Sequence, residues 1–256
     1  MPDDGMDWTI KEENYQENVR YHKVEKVALF KMVREEQGNK VLTEMANEII
    51  CWELGKGLEV HIAEIFLGVF SLKGLGLFSI WVGKDPLNIQ DPNQTSNLSN
   101  YSKLKELFVF DQWVYNFDRG QRHFVVGEDH QNTGKLIVKG IDHGHSLNDY
   151  NGQKLQANPQ LLLEPASGFY FDGGFSNTLE LKNIVEKIEA ITDQEIDRIV
   201  EYATTTIKNF NPSQSELAKV QDNEQHIKNI LKSRRNNLRN IIEKYCMQAN
   251  KTIQWS

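Results

Sequence analysis

The order of hydrophobic patterns along the chain limits how it can fold more than any other feature. From about Leu179 to Met247, apolar residues recur at helical spacing, with a break near the Asn211-Pro212 pair. Residues 1–82 instead combine short alternating runs, which are typical of strands, with one helical pattern. Because strand-like patterns come early and helical ones dominate the last part of the chain, we predict an α+β fold.

The N-terminal region is predicted to contain one helix among three strands. Alternating apolar residues indicate strands within Val24–Val33, Glu59–Phe70 and Leu77–Val82. The pattern from Lys40 to Leu54 is helical, and two nearby glycines are expected to end that helix. The Gly-Leu-Gly run at 74–76 is too short for a phosphate-binding loop, so it predicts a turn.

Composition narrows the class of protein. The chain is 256 residues long and 39% hydrophobic, which is enough for a packed core, and its formal charge is −7. This net acidity weighs against a nucleic-acid-binding function. The sequence has no run of about 18 apolar residues, begins with an acidic segment and contains two isolated cysteines. We therefore expect a cytoplasmic, soluble protein with no disulfide framework and no membrane partner.

A polar segment at residues 83–103, rich in Asn, Ser and Pro, separates two regions of different pattern. Its length is typical of a connector or a lid rather than of a simple turn. We therefore predict a small N-terminal lobe over residues 1–103, which ends in this connector, and a mainly helical lobe over residues 104–256.

The segment from Phe110 to Ser146 concentrates the residues that can carry chemistry. A predicted helix leads into a loop with Asp118, a hairpin follows, and Asp142 comes where the second strand of the hairpin ends. The hairpin should therefore bring the two carboxylates back towards each other. Two such groups can divide the work of phosphoryl transfer: one orients the attacking hydroxyl, and the other holds the metal ion that bridges the nucleotide phosphates.

The same segment resembles the catalytic core of the HipA-like kinases, which are bacterial phosphotransferases distantly related to phosphoinositide and protein kinases. The stretches LFVFDQWVYNFDRGQRHFVV and LIVKGIDHGHSL contain F-D-x-W, then D-R, then I-D-H-G, in the order that the family shows. With less specificity, the resemblance extends to MANEIICWEL and to ILKSRRNNLRNII. The resemblance covers most of residues 27–245, but only residues 110–146 carry motifs that are specific to the family.

The resemblance implies a two-lobed protein-kinase-like fold, with a small sheet-plus-helix N-lobe and a mainly helical C-lobe. Asp118 is then the catalytic-loop aspartate, supported electrostatically by Arg119, and Asp142 is the metal ligand. The implied cofactors are ATP and Mg²⁺, and the implied function is that of a serine/threonine protein kinase acting on a protein substrate. Whether an antitoxin or another regulatory partner exists is left open.

Two residues of the N-terminal region fit the same function. Lys31 shares a strand face with apolar residues, and Glu48 lies beside the apolar stripe of the predicted 40–54 helix. A buried charge is costly unless it is paired, so the two are natural partners. They predict the lysine–glutamate pair that positions nucleotide phosphates in kinases. The alternative is that Lys31 extends to solvent at a sheet edge and Glu48 is solvated.

The sequence departs from the family pattern at two points. His123 stands five residues after Asp118, where the family has Asn, and imidazole prefers softer metals than Mg²⁺. We therefore add His123 as a candidate metal ligand and Mn²⁺ as an alternative metal. In addition, no glycine occurs between Met6 and Gln37, so no Gly-rich loop precedes the Lys31 strand. Both departures favour, as an alternative function, a degenerate kinase that acts as a regulatory or partner-binding module.

Two other functions are open from the residues alone. A hydrolytic metal site could be formed by four histidines and one carboxylate: His123, His130, Asp142, His143 and His145. Neither a His-Asp dipeptide nor an H-E-x-x-H motif is present, however. A binding module without catalytic activity would use the basic face of the last helices to contact a partner. If there is no such partner, this face is expected to be solvated surface. Its residues are Lys228, Lys232, Arg234, Arg235, Arg239, Lys244 and Lys251.

Overall fold

The structure is a computed structural model, and for the strands before residue 40 it describes backbone pairing alone. Within the described residues, no helix has both the length and the apolar character that crossing a membrane requires. The described residues are 10–16, 19–24, 28–32, 40–70, 74–80, 83–84, 95–120, 123–129, 131–147, 163–166, 175–210 and 212–256.

The larger sheet has five antiparallel strands in the order β1-β2-β3-β5-β4. The predicted strands are confirmed as β3, β4 and β5: the first two are shorter than predicted, and β5 begins earlier, at Gly74. The hairpin of β1 and β2 was not predicted, because the sequence IKEENYQ is mostly polar and shows no apolar alternation. The bounds are β1 (Ile10–Gln16), β2 (Val19–Val24), β3 (Ala28–Met32), β4 (Ile65–Phe70) and β5 (Gly74–Ile80).

The Gly-Leu-Gly run lies inside β5, so the predicted turn is wrong. In this antiparallel pairing Gly74 lies opposite Phe70 and Gly76 lies opposite Gly68. Gly76 also lies opposite Met32 of β3, which makes β5 an inner strand of the sheet. The pairing partners on both sides of β5, rather than local turn chemistry, therefore determine the conformation of these glycines.

The α-helices confirm the predicted helical regions, including the break near Asn211-Pro212 that separates α4 from α5. Thr192 caps α4: its hydroxyl accepts a hydrogen bond of 3.1 Å from the Glu195 N–H. The helices are α1 (Lys40–Gly57), α2 (Leu104–Trp113), α3 (Lys182–Glu189), α4 (Asp193–Lys208), α5 (Gln214–Asn236) and α6 (Leu238–Gln248).

Helix α1 is buried on most of its circumference. It packs on β4 of the larger sheet and on α4 and α5 near the C-terminal end of the chain. Its buried side chains belong to one hydrophobic cluster that continues into α2 and the later helices. The core is thus continuous across residue 103, and the division of the chain into two lobes there remains a prediction. The buried apolar residues of α1 are Leu42, Met45, Ala46, Ile49, Ile50, Cys51 and Leu54.

A second sheet contains the predicted hairpin, with antiparallel strands β6 (Gly83–Lys84), β7 (Phe124–Glu128) and β8 (Leu136–Gly140) in sequence order. The described part of residues 83–103, which the sequence predicts as a connector or lid, contains regular structure. This part includes β6, a 3₁₀ helix (Tyr101–Lys103) and a backbone bridge between Leu98 and Leu136. Hydrogen bonds to the hairpin fix this segment. Residues 85–94 lie outside the described part.

The basic residues near the C-terminus do not form the solvated face that their spacing suggested. Arg234 is fully buried, and it donates hydrogen bonds to the carbonyl oxygens of Gln112, Trp113 and Glu164. Lys228 pairs with two carboxylates and is 7% exposed. Several of these basic side chains thus bind groups of the protein itself, which leaves fewer of them to contact a partner.

Candidate active site

Helix α2 carries a carboxylate into the protein core. Its sequence, LKELFVFDQW, contains the apolar run LFVF, and Asp111 lies in the last turn of the helix with a side chain 1% exposed. Arg119 is its counter-ion: the guanidinium Nε lies 2.7 Å from Oδ2 and Nη2 lies 3.0 Å from Oδ1. Burial of Asp111 raises its pKa, but the Arg119 guanidinium and the His143 ring together lower it by more, so the pKa lies below the usual range.

Arg119 connects the two loops that carry the predicted catalytic aspartates. Its Nη1 donates to the carbonyl oxygen of His123 at 3.0 Å and to that of Ile141 at 2.6 Å. Its Nη2 also donates to His143 Nε2 at 2.8 Å. With the two bonds to Asp111, five hydrogen bonds match the five N–H groups of a guanidinium. Arg119 is therefore placed to hold the two loops in position.

Asp118 lies in the loop that α2 leads into, as the sequence predicted. The loop is folded back by Asn116, whose backbone N–H donates to the Asp111 carbonyl and whose side chain donates to the Asp111 carboxylate at 3.1 Å. A second turn follows, in which the His123 N–H donates to the carbonyl of Gly120 at 3.0 Å. Asp118 itself is half-buried, between these two fixed points.

Asp142 lies directly after β8, where its side chain is 23% exposed. Its backbone has a φ of 60°, a left-handed conformation that aspartate tolerates better than most residues do. Tyr115 and Leu147 also have positive φ, at 53° and 64°. The three lie in the loops on either side of the hairpin. Strained backbone of this kind is typical of functional sites, because the surrounding structure must maintain it.

His123 faces Asp142, with 3.7 Å between Nε2 of the histidine and Oδ2 of the aspartate. On the other side of the ring, Nδ1 accepts a hydrogen bond of 3.2 Å from the Gly120 N–H. A neutral imidazole with Nδ1 as acceptor carries its proton on Nε2. His123 therefore presents an N–H towards the carboxylate, and it must change tautomer before it can bind a metal through Nε2.

The donor set suits a metal ion that a nucleotide brings with it. Within the described part of the chain, no cluster of three or more histidine, cysteine or acidic side chains could hold a metal by itself. Mg²⁺ usually keeps several waters and takes one or two carboxylates together with phosphate oxygens. The partly exposed carboxylate of Asp142 fits this requirement, and His123 is the second candidate ligand.

The predicted lysine–glutamate pair is only partly described. Glu48 lies in α1 and is 7% exposed, which excludes the alternative of a solvated glutamate. Lys31 lies in β3, opposite Leu77 of β5 in the register. The Lys31 side chain lies outside the described part of the chain, so its contact with Glu48 stays a prediction.

Two histidines of the alternative hydrolytic site, His143 and His145, contact different partners. His143 is buried against Arg119 and lies 3.3 Å from Asp111 Oδ1. The His145 side chain is 47% exposed, and it lies 4.0 Å from Glu44 of α1. His130 lies outside the described residues. The two histidines that follow Asp142 thus point to different partners, which removes the basis for a common metal site.

Asp111 and Asn47 were not assigned roles from the sequence, yet each contacts the loops of the site. Asp111 had a usable signal, because a carboxylate within the apolar stretch LFVFDQW requires a buried partner. Asn47 of α1 donates hydrogen bonds to the carbonyls of Gly144 and Ser146. This contact joins residues almost 100 positions apart, and the sequence carries no local signal for it.

Comparison with known proteins supports the same class of fold. No protein-family model and no curated protein matches the sequence. Among solved structures, the chain is similar to the proinflammatory kinase CtkA of Helicobacter pylori, with a TM-score of 0.53, 12% identity and 95% of each chain covered. It is also similar to HipA of Shewanella oneidensis MR-1, solved with HipB and operator DNA. That match has a TM-score of 0.44 and 8% identity, and it covers 92% of this chain and 66% of the other.

The chain therefore has an α+β fold of the kind found in the kinase CtkA. This likeness confirms, at the level of the fold, the resemblance to HipA-like kinases that residues 110–146 predicted from sequence. At 12% identity the fold is all that the likeness shows. Activity and substrate must be argued from the site.

Proposed function

We propose that this protein is a HipA-like phosphotransferase that transfers the γ-phosphoryl group of ATP to a hydroxyl of a protein serine or threonine. The observation that carries the proposal is the double contact of Arg119 with the carbonyls of His123 and Ile141. One buried side chain thereby holds the Asp118 loop beside the start of the Asp142 loop. Catalysis of phosphoryl transfer consists mainly of such positioning, together with neutralisation of charge.

Asp118 and Asp142 take different roles in this proposal. Asp118 orients the acceptor hydroxyl and receives its proton as the oxygen bonds to the γ-phosphorus and the bond to the bridging oxygen of ADP breaks. Asp142 holds the divalent metal ion, which neutralises charge on the phosphates when it is bound. His123 directs its Nε2–H towards Asp142, 3.7 Å away, and remains the second candidate metal ligand. Lys31, paired with Glu48, would position the phosphates of ATP.

A degenerate, regulatory form of the same fold is the second candidate, and the tautomer of His123 favours it. The family has an Asn at this position, and its side-chain oxygen can bind Mg²⁺ directly. Here the ring nitrogen that faces Asp142 carries a proton in the neutral state, because Gly120 occupies the other nitrogen. A protein in this state would bind nucleotide weakly or not at all, and a regulatory partner would be its main ligand. Whether that partner is an antitoxin stays open.

The test is a thermal-shift titration with ATP in Mg²⁺, in Mn²⁺ and in EDTA, followed by a transfer assay with labelled ATP. Ligand at 100 times its dissociation constant stabilises a protein by about 2.7 kcal/mol, so binding is readily detected. A metal-dependent shift and transfer of label support an active kinase. The absence of a shift in every condition contradicts the proposal and favours the degenerate form.

The matched variants are Asp142→Asn and Asp222→Asn. Asparagine keeps the shape of aspartate and also tolerates left-handed backbone, so Asp142→Asn removes the charge without adding strain at a φ of 60°. It should abolish the metal-dependent shift. Asp222 is exposed on α5, and its substitution should leave the shift unchanged. Asp118→Asn should retain nucleotide binding and lose transfer by at least about 100-fold, the contribution typical of a general base.

A further inference from the structure

The turn that follows Asp142 is fastened to helix α1 by one buried side chain. Asn47 is fully buried, and its Nδ2 donates hydrogen bonds to the carbonyl oxygens of Gly144 at 2.9 Å and Ser146 at 2.7 Å. Within the described residues, Asn47 Oδ1 has no hydrogen-bond partner. All the hydrogen bonding of this amide is thus directed at the turn.

The turn needs such support because its backbone is strained. Asp142 at its start and Leu147 at its end both have left-handed conformations. Inside the turn, the Ser146 N–H donates to the His143 carbonyl at 3.0 Å, and the Leu147 N–H donates to the Val114 carbonyl at 2.9 Å. Conformations of this kind cost of order 1–3 kcal/mol each and persist only where the surroundings enforce them.

Asp142 is therefore held from both sides. Arg119 binds the carbonyl of the preceding residue, Ile141, at 2.6 Å. Asn47 binds the carbonyls of Gly144 and Ser146, which follow. Both donors are buried side chains in a low-dielectric interior, where hydrogen bonds are strong and leaving a carbonyl unpaired is costly.

Helix α1 is a firm anchor for this contact. It is packed between β4 and the helices α4 and α5, and its next turn also faces the site. Cys51, four residues after Asn47, is fully buried, and burial raises the pKa of its thiol. The same helix carries Glu48. Asn47, which contacts the Asp142 turn, and Glu48, which is predicted to pair with Lys31, therefore lie next to each other on one well-packed helix.

We infer that Asn47 is a positioning residue that sets the orientation of the Asp142 carboxylate towards the nucleotide-bound metal ion. The inference rests on the proposed function and adds a residue to it. Asn47 acts through the backbone of the Asp142 turn and does not itself contact metal or nucleotide. Its loss should weaken metal–nucleotide binding, and a higher metal concentration should partly restore that binding.

The test compares Asn47→Ala with Cys51→Ala, two truncations of fully buried α1 side chains. Asn47 hydrogen-bonds the carbonyls of the turn, whereas Cys51 makes no such bond within the described residues. Asn47→Ala should weaken ATP binding at fixed metal concentration by about 10-fold, the effect of losing roughly one buried hydrogen bond. Cys51→Ala should change the affinity for ATP, at the same metal concentration, by less than about twofold. Should Asn47→Ala fail to fold, Asn47→Ser keeps one hydroxyl donor and should give an intermediate loss.

A second measurement does not depend on catalysis. In Asn47→Ala, the amide hydrogens of Ser146 and Leu147 should exchange at least about 10-fold faster, after correction for any change in global stability. This factor corresponds to the free energy of about one hydrogen bond. In Cys51→Ala, the exchange of the same two amides should stay unchanged. Equal exchange in the two variants overturns the inference. If the parent protein binds no nucleotide with either metal, the proposed function fails, and the exchange data alone then decide the role of Asn47.

Discussion

Arg119 and Asp111 form an ion pair in the interior of the protein, with side chains that are 0% and 1% exposed. Two parallel hydrogen bonds join them, at 2.7 Å and 3.0 Å. Isolated charges could not remain ionised at such depth, and this geometry satisfies both partners. Because the guanidinium also holds the backbone at His123 and Ile141, the pair connects α2 to both loops of the site.

Removal of the negative charge from this pair should destabilise the whole protein. Asp111→Asn keeps the shape of the side chain and leaves Arg119 charged and buried, which should cost about 3–5 kcal/mol. The control is Asp197→Asn, which removes a carboxylate 2.7 Å from Lys232 at the surface and should cost less than about 1 kcal/mol. Urea unfolding measures both. Equal losses for the two variants would contradict the structural role of Asp111.

Two arginines near the C-terminus should differ in the same way. Arg234 is fully buried on the carbonyls that end α2, so Arg234→Met should cost at least about 2 kcal/mol by leaving those groups unpaired. Arg239 pairs with Glu189 and has a side chain 35% exposed. Arg239→Met should therefore cost about 1 kcal/mol or less, and 1 M salt should abolish most of that cost. A salt-sensitive loss in Arg234→Met would indicate a surface role instead.

The contrast between these arginines marks the limit of what the sequence could predict. Both lie in one run of basic residues, and a charge pattern alone assigns them to the surface. Arg234 is buried because the chain brings the end of α2, about 120 positions earlier, against α5. No local pattern reports such a contact. The existence of α1, α2 and the β7–β8 hairpin was predictable, because each has an apolar periodicity or a clear turn. The end of α1 was not, since the helix continues from the predicted end at Leu54 to Gly57.

The candidate site shows the same division. The order Asp118, hairpin, Asp142 is local, and it was visible in the sequence together with the family resemblance. The contacts that hold the aspartates in place come from Asn47 and Arg119, and the partners of Asn47 lie almost 100 residues away. Sequence patterns find the residues that carry chemistry more readily than the buried polar residues that orient them.

Acid should weaken the hairpin through Asp129. Hydrogen bonds from the Ser99 hydroxyl and from Asn132 lower its pKa from 3.8 to about 2. A carboxylate with a lowered folded-state pKa contributes stability that is complete above pH 3.8 and is lost as the pH falls towards 2. The difference in unfolding free energy between the parent and Asp129→Asn should therefore shrink over this interval. A constant difference would show that Asp129 is not stabilised as a carboxylate.

Gly140 should not tolerate a methyl group, because it lies where β8 passes α2. A Cβ at this position would lie 2.8 Å from Leu107 Cδ2 and 3.5 Å from Arg119 Nη1. Leu107 is 2% exposed and has little room to move. Gly140→Ala should therefore cost about 1–3 kcal/mol through overpacking. The displacement should also reach Asp142, two residues later, and reduce metal-dependent ATP binding.

Gly57 provides the matched control, because it is the last residue of α1 and a Cβ there would meet no atom within 4 Å. Gly57→Ala should be neutral or stabilise the protein by up to about 1 kcal/mol, since alanine favours helix more than glycine does. Urea unfolding and the ATP thermal shift should therefore separate the two glycine variants in both stability and binding. If Gly140→Ala lowered stability and left ATP binding equal to that of Gly57→Ala, the coupling between the β8 end and Asp142 would be wrong.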